Sequence, residues 1–392
     1  MMNVTYTVER LGNMREVDLK TVPFETIDRC PLCGSDRLTD VALLRDSLIS
    51  SWCSRCAHLF HRRRPTPEWY QRWYQVFWDR PTERPRRSWR SFIPPSLKRL
   101  IRQGMGYYTV KRGVGFSKPG DRWREIFDFC QPAVTQGSAV LEIGCGYGRN
   151  LLPFRHYGCL AYGIDPSPHR AESTGYFGIR AVALPVEQLQ PETFGTFFDL
   201  VISNHSLEHL PSPTIFLEVV KRILKPGGWV CITVPNFEND FLIAQFFYAL
   251  HIHCFSRHSL TEFLRTHRFW VHRLSEDFQI RVLAQYLPDV PPPLALPIAA
   301  NGSRLPEELV LTNCFGPQYA TVPGRKIYCH WSPFDVSELS KKCKYHYRVS
   351  FGTEASSAQG GGLIQLQVEG PVGVPIHFAK ETAQTQASFW VK

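Results

Sequence analysis

A glycine-rich turn after an apolar run is the strongest candidate for a ligand site in this chain. Residues 140–148 read Val-Leu-Glu-Ile-Gly-Cys-Gly-Tyr-Gly, with Glu142 two positions ahead of the first glycine. Glycine allows a tight turn and lets a ligand approach the backbone where a Cβ would block it. A helix that begins at such a turn adds free N–H groups and a partial positive charge. Dinucleotide-binding proteins use G-x-G-x-x-G, but the third glycine position of that pattern is Arg149 here.

A carboxylate at the end of the next apolar run points to the same kind of ligand. Asp165 closes the run Ala161–Ile164 and lies 23 residues beyond Glu142. In doubly wound α/β folds a carboxylate at this position accepts hydrogen bonds from ribose hydroxyls. Asp165 alone could be an ordinary loop acid. Its spacing from the glycine turn predicts a nucleoside site formed by both.

Two further segments complete an ordered set. They are Asp199–Leu210, an apolar run that ends in Asn-His-Ser-Leu-Glu-His-Leu, and Leu224–Val230, which contains Lys-Pro-Gly-Gly. With these four segments in order, residues 121–277 resemble the class I S-adenosylmethionine-dependent methyltransferases. The segment His251–Ser256 is similar to the corresponding stretch of small-molecule and sugar-modifying members. No single segment is specific, but the ordered set is.

The resemblance implies S-adenosylmethionine as cofactor, with contacts at ten positions. By role, these are Glu142, Gly144, Cys145, Gly146 and Gly148 around the methionine part, Asp165 at the ribose, Pro166, Val186 and Glu187 around the adenine, and Asn204 under the sulfonium. One position departs from the family, because an acid often found just before the residue that matches Val186 is Pro185 here. Recognition of the adenine by a side chain is therefore in doubt, whereas backbone contacts stay open.

Two histidines are candidates for acceptor chemistry. An acceptor hydroxyl needs a base for its proton, and the pKa of histidine, about 6.5, suits that role near neutral pH. We expect His209 first and His205 second as catalytic residues; alternatively, His209 caps or braces the following helix. The pattern His205-x-x-Glu208-His209 also matches some zinc peptidases. That site requires one long helix, and Pro211 argues against it.

Four cysteines predict a metal site near the start of the chain. Cys30-x-x-Cys33 and Cys53-x-x-Cys56 are separated by 19 residues, the spacing of a structural four-cysteine zinc ribbon. Metal binding supplies folding free energy to a unit that is too small to fold by core burial. A redox role for either pair is the alternative. A zinc ribbon ahead of a methyltransferase resembles enzymes that modify sugars or cell-surface polysaccharides, and also enzymes that methylate ribosomal RNA.

Alternating strands and helices predict the fold class. We expect an α/β fold, a doubly wound, mostly parallel seven-stranded sheet, with an N-terminal zinc ribbon and a C-terminal β-rich unit. The predicted divisions are a zinc ribbon (1–60), a basic, aromatic and Pro-rich linker or helical lid (61–120), the cofactor-binding domain (121–285) and the β-rich unit (300–392). Predicted strands include 139–143, 160–164, 180–184, 198–203, 229–234, 270–274, 345–351, 363–368 and 388–391. Predicted helices are 147–157, 213–224 and 259–267.

Composition narrows the class of protein. Of the 392 residues, 43% are hydrophobic and 20% charged, values typical of globular domains, and no apolar run is long enough to span a membrane. With its polar start, the chain is expected to be cytoplasmic. The net charge is +10, and 17 Lys/Arg against five Asp/Glu lie between residues 60 and 125. Such a block can bind nucleic acid, anionic lipid headgroups or a phosphorylated substrate, or can be a solvated linker.

These features favour an enzyme that methylates a small molecule, glycan or nucleotide-sugar, most simply at a hydroxyl. The first alternative is an RNA methyltransferase that uses residues 62–124 to bind phosphates. Against it, residues 204–206 are Asn-His-Ser rather than an Asn-Pro-Pro-aromatic signature. The second alternative is a non-catalytic scaffold with a degenerate fold, which the intact glycine turn and Asp165 disfavour. The oligomeric state and the acceptor are left open by the sequence.

Overall fold

The structure, a computed structural model, describes residues 22–44, 48–77, 94–121, 123–237 and 250–291, and six short strands beyond residue 308. The chain divides into two compact units. The first comprises Met1–Thr66, Pro235–Ser259 and Leu296–Lys392, and the second comprises Pro67–Val234 and Leu260–Ala295. Within the described ranges, no helix is long and apolar enough to cross a membrane.

The described strands are numbered in chain order. They are β1 (Phe24–Thr26), β2 (Leu38–Leu44), β3 (Leu48–Cys53), β4 (His58–Pro65), β5 (Ala139–Ile143), β6 (Leu160–Asp165), β7 (Arg180–Ala183), β8 (Phe198–Asn204), β9 (Leu224–Pro235), β10 (His253–Cys254), β11 (Phe269–Glu276), β12 (Gln279–Tyr286), β13 (Leu309–Thr312), β14 (Ala320–Thr321), β15 (Ile327–His330), β16 (Leu363–Ile364), β17 (Ile376–Phe378) and β18 (Ala387–Phe389).

The described α-helices are numbered in the same way. They are α1 (Pro67–Arg72), α2 (Pro95–Arg112), α3 (Glu125–Cys130), α4 (Leu152–Tyr157), α5 (Pro168–Gly175), α6 (Pro213–Ile223) and α7 (Arg257–Thr266). Helices α5 and α6 begin where a serine caps them: the Ser167 hydroxyl accepts from the Arg170 N–H, and the Ser212 hydroxyl accepts from the Ile215 N–H. Such caps satisfy backbone donors that have no partner within the helix.

The second unit contains the predicted α/β sheet. Its strand order is β11-β12-β9-β8-β5-β6-β7. Strand β5 pairs in parallel with both β6 and β8, so the strand order reverses direction at β5. All five β5 residues are buried, as expected for a strand covered by helices on both faces. Ligands of doubly wound sheets bind outside the carboxyl ends of the strands at such a reversal. The predicted fold class is confirmed, and this edge of β5 is where a site belongs.

The first unit is built on antiparallel strands. Strand β4 pairs with β1, β3 and the short β10, while β2 pairs with β3 and β14. Because β10 belongs to Pro235–Ser259, a segment that follows the parallel strand β9 returns to complete this sheet. The N-terminal sheet is therefore not made of contiguous sequence. The division of the chain into four consecutive parts stays a prediction.

The predicted elements differ from the observed ones mainly at their ends. The helix expected over 147–157 begins later, as a 3-10 turn over Arg149–Leu151 followed by α4. The reason is that Gly146 and Gly148 have φ of 55° and 70°, in the left-handed region, which a right-handed helix excludes. The strand expected over 345–351 lies outside the described residues.

Candidate functional site

The glycine turn and Asp165 meet at the tips of β5 and β6. The Gly146 N–H donates to Asp165 Oδ2 at 2.9 Å, and the Ser167 N–H donates to Oδ1 at 2.9 Å. The N–H groups of Gly144 and Cys145 both donate to the carbonyl of Ile164 at the end of β6. The two features predicted from spacing are thus in direct contact, and Asp165 is held in place by backbone donors.

The three glycines of the turn have different surroundings. All have positive φ: 74° at Gly144, 55° at Gly146 and 70° at Gly148. A Cβ at Gly144 would collide with the Ser206 hydroxyl, and one at Gly148 would lie 2.6 Å from Thr174 Cγ2. At Gly146 the nearest atom would be 4.0 Å away. Gly144 and Gly148 are therefore required by packing, whereas Gly146 faces open space that a ligand can enter.

Glu142 is a buried carboxyl group with one unused oxygen. Its side chain accepts a hydrogen bond from Asn150 Nδ2 at 2.7 Å through Oε1, while Oε2 has no hydrogen-bond partner among the described residues. Burial, with a smaller contribution from the charge of Asp165, raises the pKa of Glu142 to about 8 against the opposing hydrogen bond from Asn150. A buried polar atom without a partner is unfavourable. An incoming ammonium group would satisfy it, so this oxygen fits the predicted amino-acid end of the cofactor.

Other predicted contact residues lie close to the same edge but differ in exposure. Cys145 turns its side chain into the core, where Sγ lies 3.9 Å from Thr174 Oγ1, so only its backbone faces the turn. Val186 is buried at the start of a 3-10 turn, and Glu187 beside it is exposed. Pro166 follows Asp165 directly and is half-buried. Their roles toward a cofactor stay predictions.

His205 is held in a strained backbone conformation beside the glycine turn. It follows Asn204 at the end of β8, and its φ of 51° lies in the left-handed region, which is uncommon for a residue other than glycine. Its neighbour Ser206 is the residue that covers Gly144. The His205 N–H donates to the carbonyl of Thr233 on β9 at 2.9 Å. Strain of this kind clusters at functional sites.

The His205 ring lies between a carboxylate and an amide. Nδ1 is 3.4 Å from Glu208 Oε1, and Nε2 is 3.1 Å from Gln279 Oε1 at the start of β12. Burial lowers the pKa of His205, but its interactions with the Glu208 carboxylate and with Gln279 outweigh this effect, so the net pKa is raised. The carboxylate therefore favours the protonated ring.

Glu208 connects the two predicted histidines. It is 1% exposed, and neither carboxylate oxygen has a hydrogen-bond partner among the described residues. His209 Nε2 lies 3.8 Å from the same Oε1, and its ring packs edge-on against Tyr74. The side chain of His209 is 15% exposed, against 42% for His205, so His205 is the more accessible of the two. Glu208 had no role in the sequence-based site, although it stood in the pattern that named both histidines.

The four predicted metal-site cysteines converge in the first unit. Their sulfur atoms lie within 4.8 Å of one another, with Cys30–Cys56 at 3.5 Å and Cys33–Cys53 at 3.6 Å. Zinc–sulfur bonds of about 2.3 Å place tetrahedral sulfurs about 3.8 Å apart. The donor set and its spacing therefore fit a tetrahedral ion.

The two cysteine pairs share one backbone geometry. The Gly34 N–H donates to the carbonyl of Cys30, and the Ala57 N–H donates to that of Cys53, both at 2.9 Å. Gly34 has φ of 69° and Ala57 has φ of 53°. A residue with left-handed backbone thus follows each pair. Glycine commonly has this conformation, as at Gly34, but nothing in the sequence predicts it for Ala57.

His253, in the segment that resembles small-molecule and sugar-modifying methyltransferases, has a structural role. His253 is 2% exposed on β10, and its Nδ1 lies 3.1 Å from Nε2 of the fully buried His58. Burial lowers the pKa of His58 to about 3, against the charge of Cys53. The His58–His253 contact joins β4 to β10, and His58 is neutral near physiological pH.

Comparison with known proteins agrees with the site. A family described as a methyltransferase domain matches residues 118–273. This segment is a class I S-adenosylmethionine-dependent methyltransferase domain. Ubiquinone biosynthesis O-methyltransferases are similar to it: that of Bordetella avium (strain 197N) is 32% identical over 107 residues, which are 26% of this chain and 44% of the relative. That of Xanthomonas oryzae pv. oryzae (strain PXO99A) is 33% identical over 108 residues, with the same shares.

The methyltransferase domain accounts for part of the molecule. The chain spans less than half the length of these curated relatives. Among solved structures, the 1,6-didemethyltoxoflavin-N1-methyltransferase of Burkholderia thailandensis, with bound 1,6-didemethyltoxoflavin and S-adenosylhomocysteine, is similar over 50% of this chain and 91% of its own. Its sequence identity is 19% and the TM-score is 0.36.

Proposed function

We propose that the chain is an S-adenosylmethionine-dependent methyltransferase that acts on a hydroxyl group of a small molecule or glycan. The observation that carries the cofactor is the free Oε2 of buried Glu142, next to the open face of Gly146. The cationic amino group of the cofactor would satisfy the Glu142 oxygen, and the open side of Gly146 would let the rest of the cofactor approach the backbone closely. The similar proteins named O-methyltransferases support oxygen as the acceptor atom, although they match only 26% of the chain.

The chain's own residues would bind and orient the cofactor. Glu142 would accept from its amino group, Asp165 would accept from its ribose hydroxyls, and the backbone at Gly146 would allow close approach. Pro166, Val186 and Glu187 would contact the adenine, and Asn204, the last residue of β8, would lie under the sulfonium. The bound cofactor supplies an electrophilic methyl group. The remaining task of the protein is to align the acceptor with it and to exclude water.

His205 is the better candidate for the base, ahead of His209. With the Nδ1–H directed at Glu208, a neutral ring carries its lone pair on Nε2, which is then the basic nitrogen. In the structure Nε2 faces the Gln279 carbonyl oxygen, an acceptor to which only a protonated Nε2 donates, so an acceptor hydroxyl would displace that oxygen to reach the base. Glu208 would stabilise the imidazolium that forms when His205 takes the proton, as the carboxylate does in other acid–histidine pairs. His209, less accessible and packed on Tyr74, would brace this arrangement.

A methyl-transfer assay with labelled S-adenosylmethionine tests this function. The acceptors are nucleotide-sugars, glycans, quinols and RNA, each with wild type and with Asp165→Ala. The proposal expects label in a hydroxyl-bearing small molecule or glycan with wild type only. Transfer to RNA alone would support an RNA methyltransferase instead. If the protein neither transfers the label nor binds the cofactor, a non-catalytic scaffold would be favoured.

The cysteine cluster would hold one structural zinc ion. All four positions are supplied by Cys30, Cys33, Cys53 and Cys56, which closes the coordination sphere and leaves no site for a substrate. Elemental analysis of the purified chain should find about one zinc per molecule, and chelation should lower the melting temperature. A metal-free protein with an unchanged melting temperature would contradict this role.

A further inference from the structure

Helix α2 is fixed to the second unit by one face. Gly106 is buried, and a Cβ there would collide with the carbonyl of Tyr176, so backbone packs directly against backbone. One turn later, the Val110 carbonyl lies 2.8 Å from His156 Nδ1, beside the end of α4. The guanidinium of Arg102 lies over the Tyr176 ring. These contacts set which side of the helix faces away from the domain.

The face opposite Gly106 is apolar and exposed. Its members recur every three or four residues, so they form one stripe along the helix. The stripe consists of Leu97, Leu100, Ile101, Met105 and Tyr108, which are between 45% and 65% exposed. In an amphipathic helix on the surface of a soluble domain, the apolar residues face the core and the polar residues face water. In α2 the apolar stripe instead faces away from the domain.

The charges of α2 have one sign. Its 18 residues contain five cationic side chains and no acidic one. They are Lys98, Arg99 and Arg102 in the first half and Lys111 and Arg112 in the last turn. With 3.6 residues per turn, Lys98 flanks the stripe and Lys111 and Arg112 continue its face in the last turn, whereas Arg99 and Arg102 lie on the Gly106 side. An apolar stripe with cations beside it matches a lipid surface that has an apolar interior and anionic headgroups. The sequence had allowed anionic lipid, nucleic acid or a phosphorylated substrate for this basic block.

We propose that α2 is an interfacial membrane anchor that seats this protein on anionic lipid, with the stripe Leu97–Tyr108 inserted among the acyl chains. Nucleic acid would be recognised by cations and stacking aromatic rings, but of the six exposed large hydrophobic side chains on α2 only Tyr107 and Tyr108 are aromatic. A second copy of α2 would bring further like charges to the same face. The helix lies on the membrane and does not span it. This inference does not depend on the proposed activity.

Vesicle co-sedimentation of the full chain tests the anchor. The vesicles are phosphatidylcholine alone and phosphatidylcholine with about a third phosphatidylglycerol. The wild type should bind the anionic vesicles at least about tenfold more tightly. Leu100→Glu combined with Met105→Glu should reduce that binding about tenfold or more, because it places two acids in the stripe. Lys98→Gln with Lys111→Gln should weaken binding and reduce its dependence on salt, because these cations lie beside the stripe.

The matched control is Ile215→Glu, at an exposed aliphatic residue of α6 in the same unit. It should bind vesicles within about twofold of wild type, and all variants should keep the wild-type melting temperature. A wild type that ignores anionic vesicles would overturn the anchor. So would a stripe variant that binds vesicles normally but loses RNA binding or self-association, since either result assigns the stripe to that partner.

Discussion

Two single residues of the candidate site have features that lower the stability of the folded protein. Glu142 keeps a carboxylate oxygen buried without a partner, and His205 keeps a left-handed backbone. Neither is explained by packing alone, because an apolar residue or a glycine would be more stable at these positions. Groups of this kind persist where a ligand or a reaction uses them.

Glu142→Gln should separate stability from cofactor binding. The pKa of Glu142 is raised from an ordinary value near 4.5 to about 8, so the folded state favours the protonated form. Its stabilising contribution is complete below about pH 4.5 and is lost as the pH rises toward about 8. The melting temperature of wild type should therefore fall relative to Glu142→Gln across this range and then level off. Thermal melts at several pH values measure this, and parallel curves would contradict it.

Gly146→Ala should impair the ligand site more than the fold. A left-handed alanine costs about 1–2 kcal/mol, and Gly137→Ala is the matched control because Gly137 also has positive φ and open surroundings. Both variants should lose similar stability, but only Gly146→Ala should weaken S-adenosylhomocysteine binding, by about tenfold or more. Gly144→Ala should unfold more easily than either, because its Cβ meets Ser206. Equal binding by the alanine variants at 146 and 137 would refute a ligand at the turn.

Glu208→Gln should move the pH dependence of catalysis. Glu208 raises the pKa of His205 against the effect of burial, and a base must be deprotonated to act. Without the charge, the rising limb of kcat/KM against pH should shift to lower pH, and kcat should fall about tenfold. The variant Glu192→Gln, at an exposed acid with no role in the site, serves as the control for general charge effects. An unshifted profile for Glu208→Gln would remove His205 as the base.

Among the strands and helices, the sequence predicts those features that are determined by the residues of the element itself. The predicted and observed ends of β5 agree, because a short apolar run between a turn and a glycine is typical of a buried strand. The late start of α4 follows from left-handed glycines whose φ cannot be read from residue type. Gln279 reaches His205 only through the pairing of β12 into the sheet. A contact across 74 residues has no local pattern in the sequence.

The cysteine turns give a prediction at this scale. Gly34 has open surroundings, so Gly34→Ala should destabilise the first unit by about 1–2 kcal/mol through its positive φ alone. Ala57→Gly should be nearly neutral, because relief of the same strain opposes the loss of a buried methyl group worth about 0.8 kcal/mol. Melting curves with zinc present measure both. A strongly destabilising Ala57→Gly would show that the two turns are not equivalent.

At the scale of the whole molecule, chain order and spatial order differ. Pro235–Ser259 groups with Met1–Thr66 in the first unit, and Pro67–Val234 groups with Leu260–Ala295 in the second. The return of β10 to β4 joins segments about 190 residues apart, and local patterns do not report such pairings. The basic, aromatic stretch that is predicted as a linker or helical lid includes α2, an 18-residue helix of the second unit.

Calorimetric titration of the full chain with S-adenosylhomocysteine is the most direct test of the central claim. Wild type should bind one equivalent, Asp165→Ala should lose binding, and Glu192→Gln, at an exposed acid outside the predicted site, should bind with an affinity close to that of wild type. If wild type gives no binding heat, or if Asp165→Ala gives as much as wild type, the result would contradict a cofactor site at the tips of β5 and β6.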